Sequence, residues 1–175
     1  MELRPATIDD AEQIALLHAD SWRRTYRGMM SDEFLDGDVA QDRRSVWQGR
    51  LNSPAPNQRV IVAEDSGAIQ GFVCIFGGDD PTWGSFIDNL HVRLDVQARG
   101  VGRALMREAA AWAEANYPGL GLYLWVMQAN ENAQRFYERL GGANRGAEVH
   151  AGAGGGDAHV FRYAWRDARG LAAAV

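Results

Sequence analysis

Hydrophobic and polar positions recur with two periods along this chain, and the switches between them mark out its elements. Residues 3–8 suit a short strand, after which Thr7 or Asp9 offers a helix N-cap. Ala11, Ile14, Leu17, His18, Ser21, Trp22 and Thr25 then follow the three-to-four spacing of one helix face. Gly28 ends that helix. Ser31, with Asp32 and Glu33, opens a second, which resumes over residues 41–51 before a loop at 52–57. The runs 60–64 and 69–76, joined by Asp65-Ser66-Gly67, predict a hairpin, and Gly77-Gly78-Asp79-Asp80-Pro81 predicts a longer loop before a strand over 85–92. A helix over 102–116 carries Leu105, Ala109 and Trp112 on one face and stops at Pro118-Gly119. Residues 122–127 read as a buried strand and 131–140 as a helix ended by Gly141-Gly142. Residues 147–149 and 159–165 predict a last hairpin around a loose loop at 151–157.

The order is strand, two helices, three strands, helix, strand, helix, strand pair. A meander followed by alternating units predicts an α/β fold with a mixed sheet and helices on both faces. No repeat or linker divides the chain, so residues 1–167 are expected to form a single domain and the alanine-rich residues 168–175 a frayed tail.

Composition narrows the chemistry. The 175 residues suit one domain, with 46% hydrophobic and 23% charged residues, near globular averages. The single cysteine, Cys74, sits in an apolar run and reads as a small buried hydrophobe rather than a nucleophile; alone it makes neither a disulfide framework nor a cysteine-based metal site, and no metal is expected. All 18 basic residues are arginine, which excludes a lysine Schiff base and a Walker-type lysine. The net charge of −5 argues against nucleic acid and is mildly compatible with a cationic amine as partner. No signal peptide and no apolar run of about 18 residues is present, so the expectation is a cytoplasmic protein without a membrane partner.

The candidate chemistry lies at Gln97-Ala98-Arg99-Gly100-Val101-Gly102, between a strand and a helix. A glycine-bearing turn at a helix N-terminus points backbone N–H groups and the positive end of the helix dipole at one place, an anion site. Gly100 and Gly102 remove side chains that would hold a pyrophosphate off the backbone, and Arg99 and Arg103 add charge. An ordinary tight turn fits the local pattern equally well. The dinucleotide fingerprint does not fit: the position for its third glycine is Leu105, and no acidic ribose partner follows.

Gln97-x-x-Gly100-x-Gly102 resembles the acyl-CoA turn of the GCN5-related N-acetyltransferase (GNAT) superfamily. Asn89-Leu90-His91-Val92 is similar to the family's preceding strand, and Asn130-x-x-Ala133-x-x-Phe136-Tyr137-x-x-x-Gly141 to its later helix. The resemblance covers about residues 60–142 and implies a mostly antiparallel sheet whose two central parallel strands splay apart. It implies acetyl-CoA as co-substrate, with its pyrophosphate held by Gln97, Ala98, Arg99, Gly100, Val101, Gly102 and Arg103. The backbone of Leu90, His91 and Val92 would pair with the pantetheine arm, Asn130 would reach that arm, and Ala133 would leave room for it.

Tyr137 matches the tyrosine that protonates the departing thiolate. Trp125 stands where several members carry a glutamate base and cannot accept a proton. The resemblance makes Asp88 the candidate base, since relatives often carry an acidic residue on the equivalent strand. His91 has the better intrinsic pKa, but strict alternation puts it on the opposite sheet face. A structural hydrogen-bonding role for either, or a water chain without a dedicated base, is the alternative. Among Trp22, Tyr26, Trp47 and Trp83, aromatic rings near Asp32, Glu33, Asp36 or Asp80 would cage a cationic amine, although Trp22 and Trp47 read more readily as packing helices onto the sheet. The expected activity is direct acetyl transfer to a primary amine of a small molecule such as a polyamine, amino acid or antibiotic-like compound. The alternatives are a non-catalytic acyl-CoA-binding module, which Trp125 favours and Tyr137 opposes, and acetylation of a protein N-terminus. The resemblance leaves a homodimer open.

Overall fold

The structure, a computed structural model, describes residues 1–173. In chain order its elements are β1 (Glu2–Pro5), α1 (Ala11–Thr25), α2 (Asp32–Asp36), α3 (Val39–Asn52), β2 (Gln58–Asp65), β3 (Ala68–Asp80), β4 (Gly84–Val92), α4 (Val101–Asn116), β5 (Leu122–Met127), α5 (Glu131–Arg139), β6 (Ala143–Ala151), β7 (Asp157–Trp165) and α6 (Ala168–Ala173). The strands form one sheet in the order β1-β2-β3-β4-β5-β7-β6, in which the β4–β5 pair alone is parallel. This is the expected mixed, mostly antiparallel arrangement.

Each sheet face buries a different helix set. Leu105, Met106, Ala109 and Ala113 of α4 pack with Val73, Ile75, Ile87, Leu122, Leu124, Tyr163 and Trp165. On the other face Ile14 and Ala15 of α1 and Trp47 of α3 cover Val60, Val62, Phe72 and Cys74. The start of α1 is fixed by Asp10, which accepts from the Thr7 N–H at 2.8 Å and takes two hydrogen bonds from the Arg4 guanidinium at 2.8 and 2.9 Å. Arg4 also reaches Glu64 on β2, so one side chain ties the first strand–helix junction to the sheet.

Three segments depart from the sequence expectation. Residues 77–80 are strand, not loop, because their glycines serve close packing: a Cβ at Gly77 would lie 1.9 Å from the Tyr117 ring. The 151–157 loop is not loose, since Ala153 packs beside Trp22 and Leu35, and a Cβ at Gly154 would meet Phe34 of α2 at 2.6 Å. Residues 168–173 form α6 rather than a frayed tail. Ala168 and Leu171 are buried, the Gly170 N–H bonds to Asp167 at 2.8 Å, and alanine is the strongest helix former. Residues 174 and 175 of that expected tail lie outside the described residues.

The feature that positions the site is where β4 and β5 part. They pair at Ser85–Leu122, Phe86–Tyr123 and Ile87–Leu124 and no further. Beyond that point β4 stays paired with β3 through Val92, and β5 with β7 through Met127. On β4, Ile87 pairs with Ile75 and Asn89 with Cys74, which leaves Asp88 as the extra residue of a β-bulge. A bulge bends its strand and increases the local twist, and here it turns β4 away from β5. The closed end is held tight: the Ser85 N–H bonds to the Gly121 carbonyl at 2.9 Å, and a Cβ on Gly84 would lie 2.1 Å from that same oxygen.

Gly84→Ala should therefore be far from neutral, since Gly84 also has φ of +89°. A loss of about 2 kcal/mol or more in urea unfolding is expected, from overpacking against backbone plus left-handed strain. Gly155→Ala, also at positive φ but with nothing within 4 Å, supplies the comparison for strain alone. Equal losses in the two variants would mean that the strands are not pinned at Gly84.

Candidate active site

The parted strands open a cleft of about 1210 Å³ that runs between the end of α1, β4, the head of α4, the end of β5 and α5. One end is the glycine turn. After β4 a single helical turn, Leu94–Val96, leads into Gln97, whose side chain donates to the Val92 carbonyl at 3.3 Å. Ala98 (φ +61°) and Gly100 (φ +86°) both adopt the left-handed conformation, which aims the following N–H groups inward. The first intrahelical bond of α4 runs from the Ala104 N–H to the Gly100 carbonyl, so the N–H groups before it lack helical acceptors. Gln97, Ala98, Gly100, Val101, Gly102 and Arg103 line the cleft, whereas Arg99 is exposed and outside the lining.

The two glycines have different reasons to be there. A Cβ at Gly100 would meet nothing within 4 Å and would project into open space, so its left-handed φ is what selects glycine. A Cβ at Gly102 would come within 3.3 Å of Phe136, so this glycine also lets α4 and α5 approach, while Gly100 leaves the surface of the turn open. The surrounding surface suits an anion: N–H groups without helical acceptors and a helix N-terminus border the cleft there, and Arg103 is part of its lining.

Along the walls, Leu90, His91 and Val92 lie on the β4 edge that has lost its neighbour. Asn130 and Ala133 line the opposite wall, and the Asn130 side-chain carbonyl caps α5 by accepting from the Ala133 N–H at 3.2 Å. Tyr137 is only 9% exposed, packed by Phe136, Tyr163 and Trp165. Among the described residues its hydroxyl has no hydrogen-bond partner, and Tyr137 lines the cleft. Burial, with the Tyr26 phenol as a second cause, raises its pKa above the usual value near 10, which keeps the proton on the oxygen.

The bulge overturns the alternation argument. Asp88 and His91 face the same side, toward α1 and α3: Asp88 Oδ2 accepts from Arg50 Nη1 at 2.5 Å and from the Asn89 amide, while His91 packs on His18 and Phe72. Its signal is present in the sequence, where Ile87 and Leu90 both face the α4 core although three positions apart. His91 Nδ1 lies 2.8 Å from Ser21 Oγ. Burial, then the charge of Arg43, lowers its pKa to about 3. His18 is also neutral: burial lowers its pKa well below 6.5, and Trp47 Nε1 donates to its Nδ1 at 2.9 Å, which puts the proton on Nε2. Arg50 and Ser21 escaped the sequence reading because no local spacing links them to β4.

The acceptor side differs from the expected cage. Trp22 and Tyr26 line the cleft, but Trp47 is fully buried. Asp32 and Asp36 pair with Arg27, and Asp80 caps its own turn through the N–H groups of Thr82 and Trp83. Trp83 lies outside the lining, against Arg162. Trp125 lines the cleft. Cys74 is buried, and burial pushes its thiol up to about 12, as suits a core residue.

Residues 18–142 match the Acetyltransferase (GNAT) family. The chain is 31% identical over 138 residues to an uncharacterized N-acetyltransferase of Mycobacterium tuberculosis, a stretch covering 77% of this chain and 83% of that protein. It shares its fold with a GCN5-related N-acetyltransferase from Rhodopseudomonas palustris, at a TM-score of 0.74 and 23% identity over 93% of each chain. It also shares it with the PaiA N-acetyltransferase from Thermoplasma acidophilum, solved in complex with coenzyme A, at a TM-score of 0.69 and 19% identity over 92% of this chain and 96% of that one. The family match runs from α1 through the glycine turn to the end of α5, the stretch that builds both walls of the cleft, and the chain belongs to the GNAT family of acetyltransferases.

Proposed function

We propose that this N-acetyltransferase moves the acetyl group of acetyl-CoA directly to a primary amine of a small molecule, with Tyr137 as the general acid. The observation that carries the reading is Tyr137, its hydroxyl held protonated and, among the described residues, without a hydrogen-bond partner, lining the same cleft as the glycine turn. When bound, acetyl-CoA supplies an activated thioester and a thiolate leaving group. The N–H groups at the head of α4 and Arg103 hold its phosphates, and the free β4 edge at Leu90–Val92 pairs with its pantetheine amides. Asn130 and Ala133 border that arm on the opposite wall. Tyr137 gives its proton to the departing sulfur, an uphill transfer because burial raises the phenol above its usual value near 10 while a free thiol lies near 8.5.

On the acceptor side the amine enters between α1 and β5. Asp88 has Oδ1 without a protein donor and is positioned by Arg50 and Asn89 through Oδ2, so it is the carboxylate placed to accept the amine proton, directly or through water. His91 is neutral and accepts or donates a hydrogen bond there without taking up charge. The lining holds no cysteine and the chain no lysine, which excludes a thiol or amine acyl-enzyme and supports direct transfer.

Acetyl-CoA-dependent thiol release over an amine panel tests transfer, and thermal stabilisation by CoA tests binding separately. CoA binding with no release from any amine would favour the non-catalytic module. Tyr137→Phe should lower kcat by about 100-fold and leave CoA affinity unchanged; an undiminished kcat would remove Tyr137 from the chemistry. Gly100→Val should weaken CoA binding by about tenfold or more, because valine resists positive φ and its side chain enters the cradle. Unchanged affinity would place the phosphates elsewhere. Between about pH 5 and 8 neither histidine titrates, so the acid limb of kcat/KM should follow the acceptor amine's own pKa across an amine series. A limb fixed near 6.5 and lost in His91→Gln would contradict this.

A further inference from the structure

Arg139 lines the cleft without a counter-charge. Of the other charged side chains in the lining, Arg24 is paired with Asp20, Asp88 with Arg50, and Glu131 with Arg135, which also donates to Asn132 at 2.6 Å; Arg103 lies at the glycine turn itself. Arg139 is exposed in the last turn of α5 and makes no hydrogen bond or ion pair among the described residues. The adjacent carboxylate, Glu138, is engaged by the Tyr163 hydroxyl at 2.8 Å. One turn back along the helix stands Arg135, so two like charges sit at i and i+4, a spacing that weakens a helix. The negative end of the helix dipole favours a cation at this position but supplies no acceptor to the guanidinium fork.

The lining residues of α5 follow the order of the donor's own parts. Asn130 and Ala133, at its start, border the path of the pantetheine arm. Phe136, further along, is the side chain that a Cβ at Gly102 would meet, which puts it beside the glycine turn. Arg139 comes three residues later, about 4.5 Å along the axis and on the same helix face. CoA runs in the same sequence, from pantetheine through pyrophosphate to a ribose that carries a 3′-phosphate and adenine. Backbone N–H groups at the turn suit the pyrophosphate. The 3′-phosphate, with close to two negative charges at neutral pH, calls for a cation.

Resting on the donor placement proposed above, we propose that Arg139 holds the 3′-phosphate of CoA and so makes this chain select CoA over its 3′-dephospho form. A guanidinium takes two phosphate oxygens through parallel N–H donors and keeps its charge at any working pH. The bound anion also offsets the repulsion between Arg135 and Arg139. Because Arg139 is exposed, the contact is screened by salt. Stacking under the adenine is the other use such a side chain could have, and the 3′-dephospho form keeps the adenine.

Calorimetric titration with CoA and with 3′-dephospho-CoA tests this. The unaltered protein should bind CoA at least about tenfold more tightly, by a margin that shrinks as salt is raised. Arg139→Gln should weaken CoA by about tenfold and leave 3′-dephospho-CoA where it was, which abolishes the preference. Arg139→Lys, with a point charge in place of a fork, should restore part of it. Equal affinities in the unaltered protein, or a preference that survives Arg139→Gln, would overturn the assignment. An equal loss for both ligands would overturn it too, in favour of adenine stacking or, with an earlier melting transition, of a loosened helix end. Gly100→Val separates the underlying reading, since it should weaken both ligands alike. If it spares both, the phosphate cradle lies elsewhere, and the ratio of the two affinities in Arg139→Gln still decides the role of Arg139.

Discussion

The site depends on one constraint, that two parallel strands paired at one end are forced apart at the other. Close contact at Gly84 and Gly121 fixes the paired end, and the extra residue at Asp88 bends β4 away just beyond Ile87. Each strand keeps its other neighbour, so the unpaired length is confined to the edge that faces the cleft. An unpaired edge inside a protein is costly unless water or a ligand satisfies it. The same bulge swings Asp88 and Asn89 together toward α3, where Arg50 meets Asp88. The opening and the placement of the carboxylate are thus one event in the backbone.

Electrostatics divide the cleft into two regions. At the head of α4, partial positive charge comes from backbone and helix dipole, which no titration removes. Around His18 and His91, burial and the nearby Arg43 keep both imidazoles neutral. Because every basic side chain in the chain is arginine or histidine and the histidines at the site stay neutral, the positive charge at the site comes from arginine and backbone and is insensitive to pH over the range in which an amine gains or loses its proton.

Local features were legible in the sequence and long-range ones were not. The strand Leu122–Met127 and the turn before α4 are set by a short apolar run and by glycines at a helix start, signals contained within a few residues. The Gly77–Asp80 stretch was misread because glycine marks a turn as readily as it marks close approach, and the neighbour, Tyr117, lies far along the chain. Regular alternation placed His91 wrongly, although the spacing of Ile87 and Leu90 carried the bulge. The Arg50–Asp88 and Arg162–Trp83 contacts join residues from different elements and left no periodic trace.

The β6–β7 tip leaning on α2 gives the two halves of the cleft unequal construction. The donor half is framed by hydrogen-bonded strands and helix ends, which change little without unfolding. The β6–β7 tip is held differently: Ala153 and Gly154 lie against the cluster of Trp22, Leu35 and Phe34, an apolar contact between segments that share no strand pairing. Of these residues, Trp22 lines the acceptor half. A single exchange of side chain at that contact is felt at Trp22 before it is felt at the phosphate cradle. In evolutionary terms, this architecture lets selection retune the choice of acceptor while the donor stays the same.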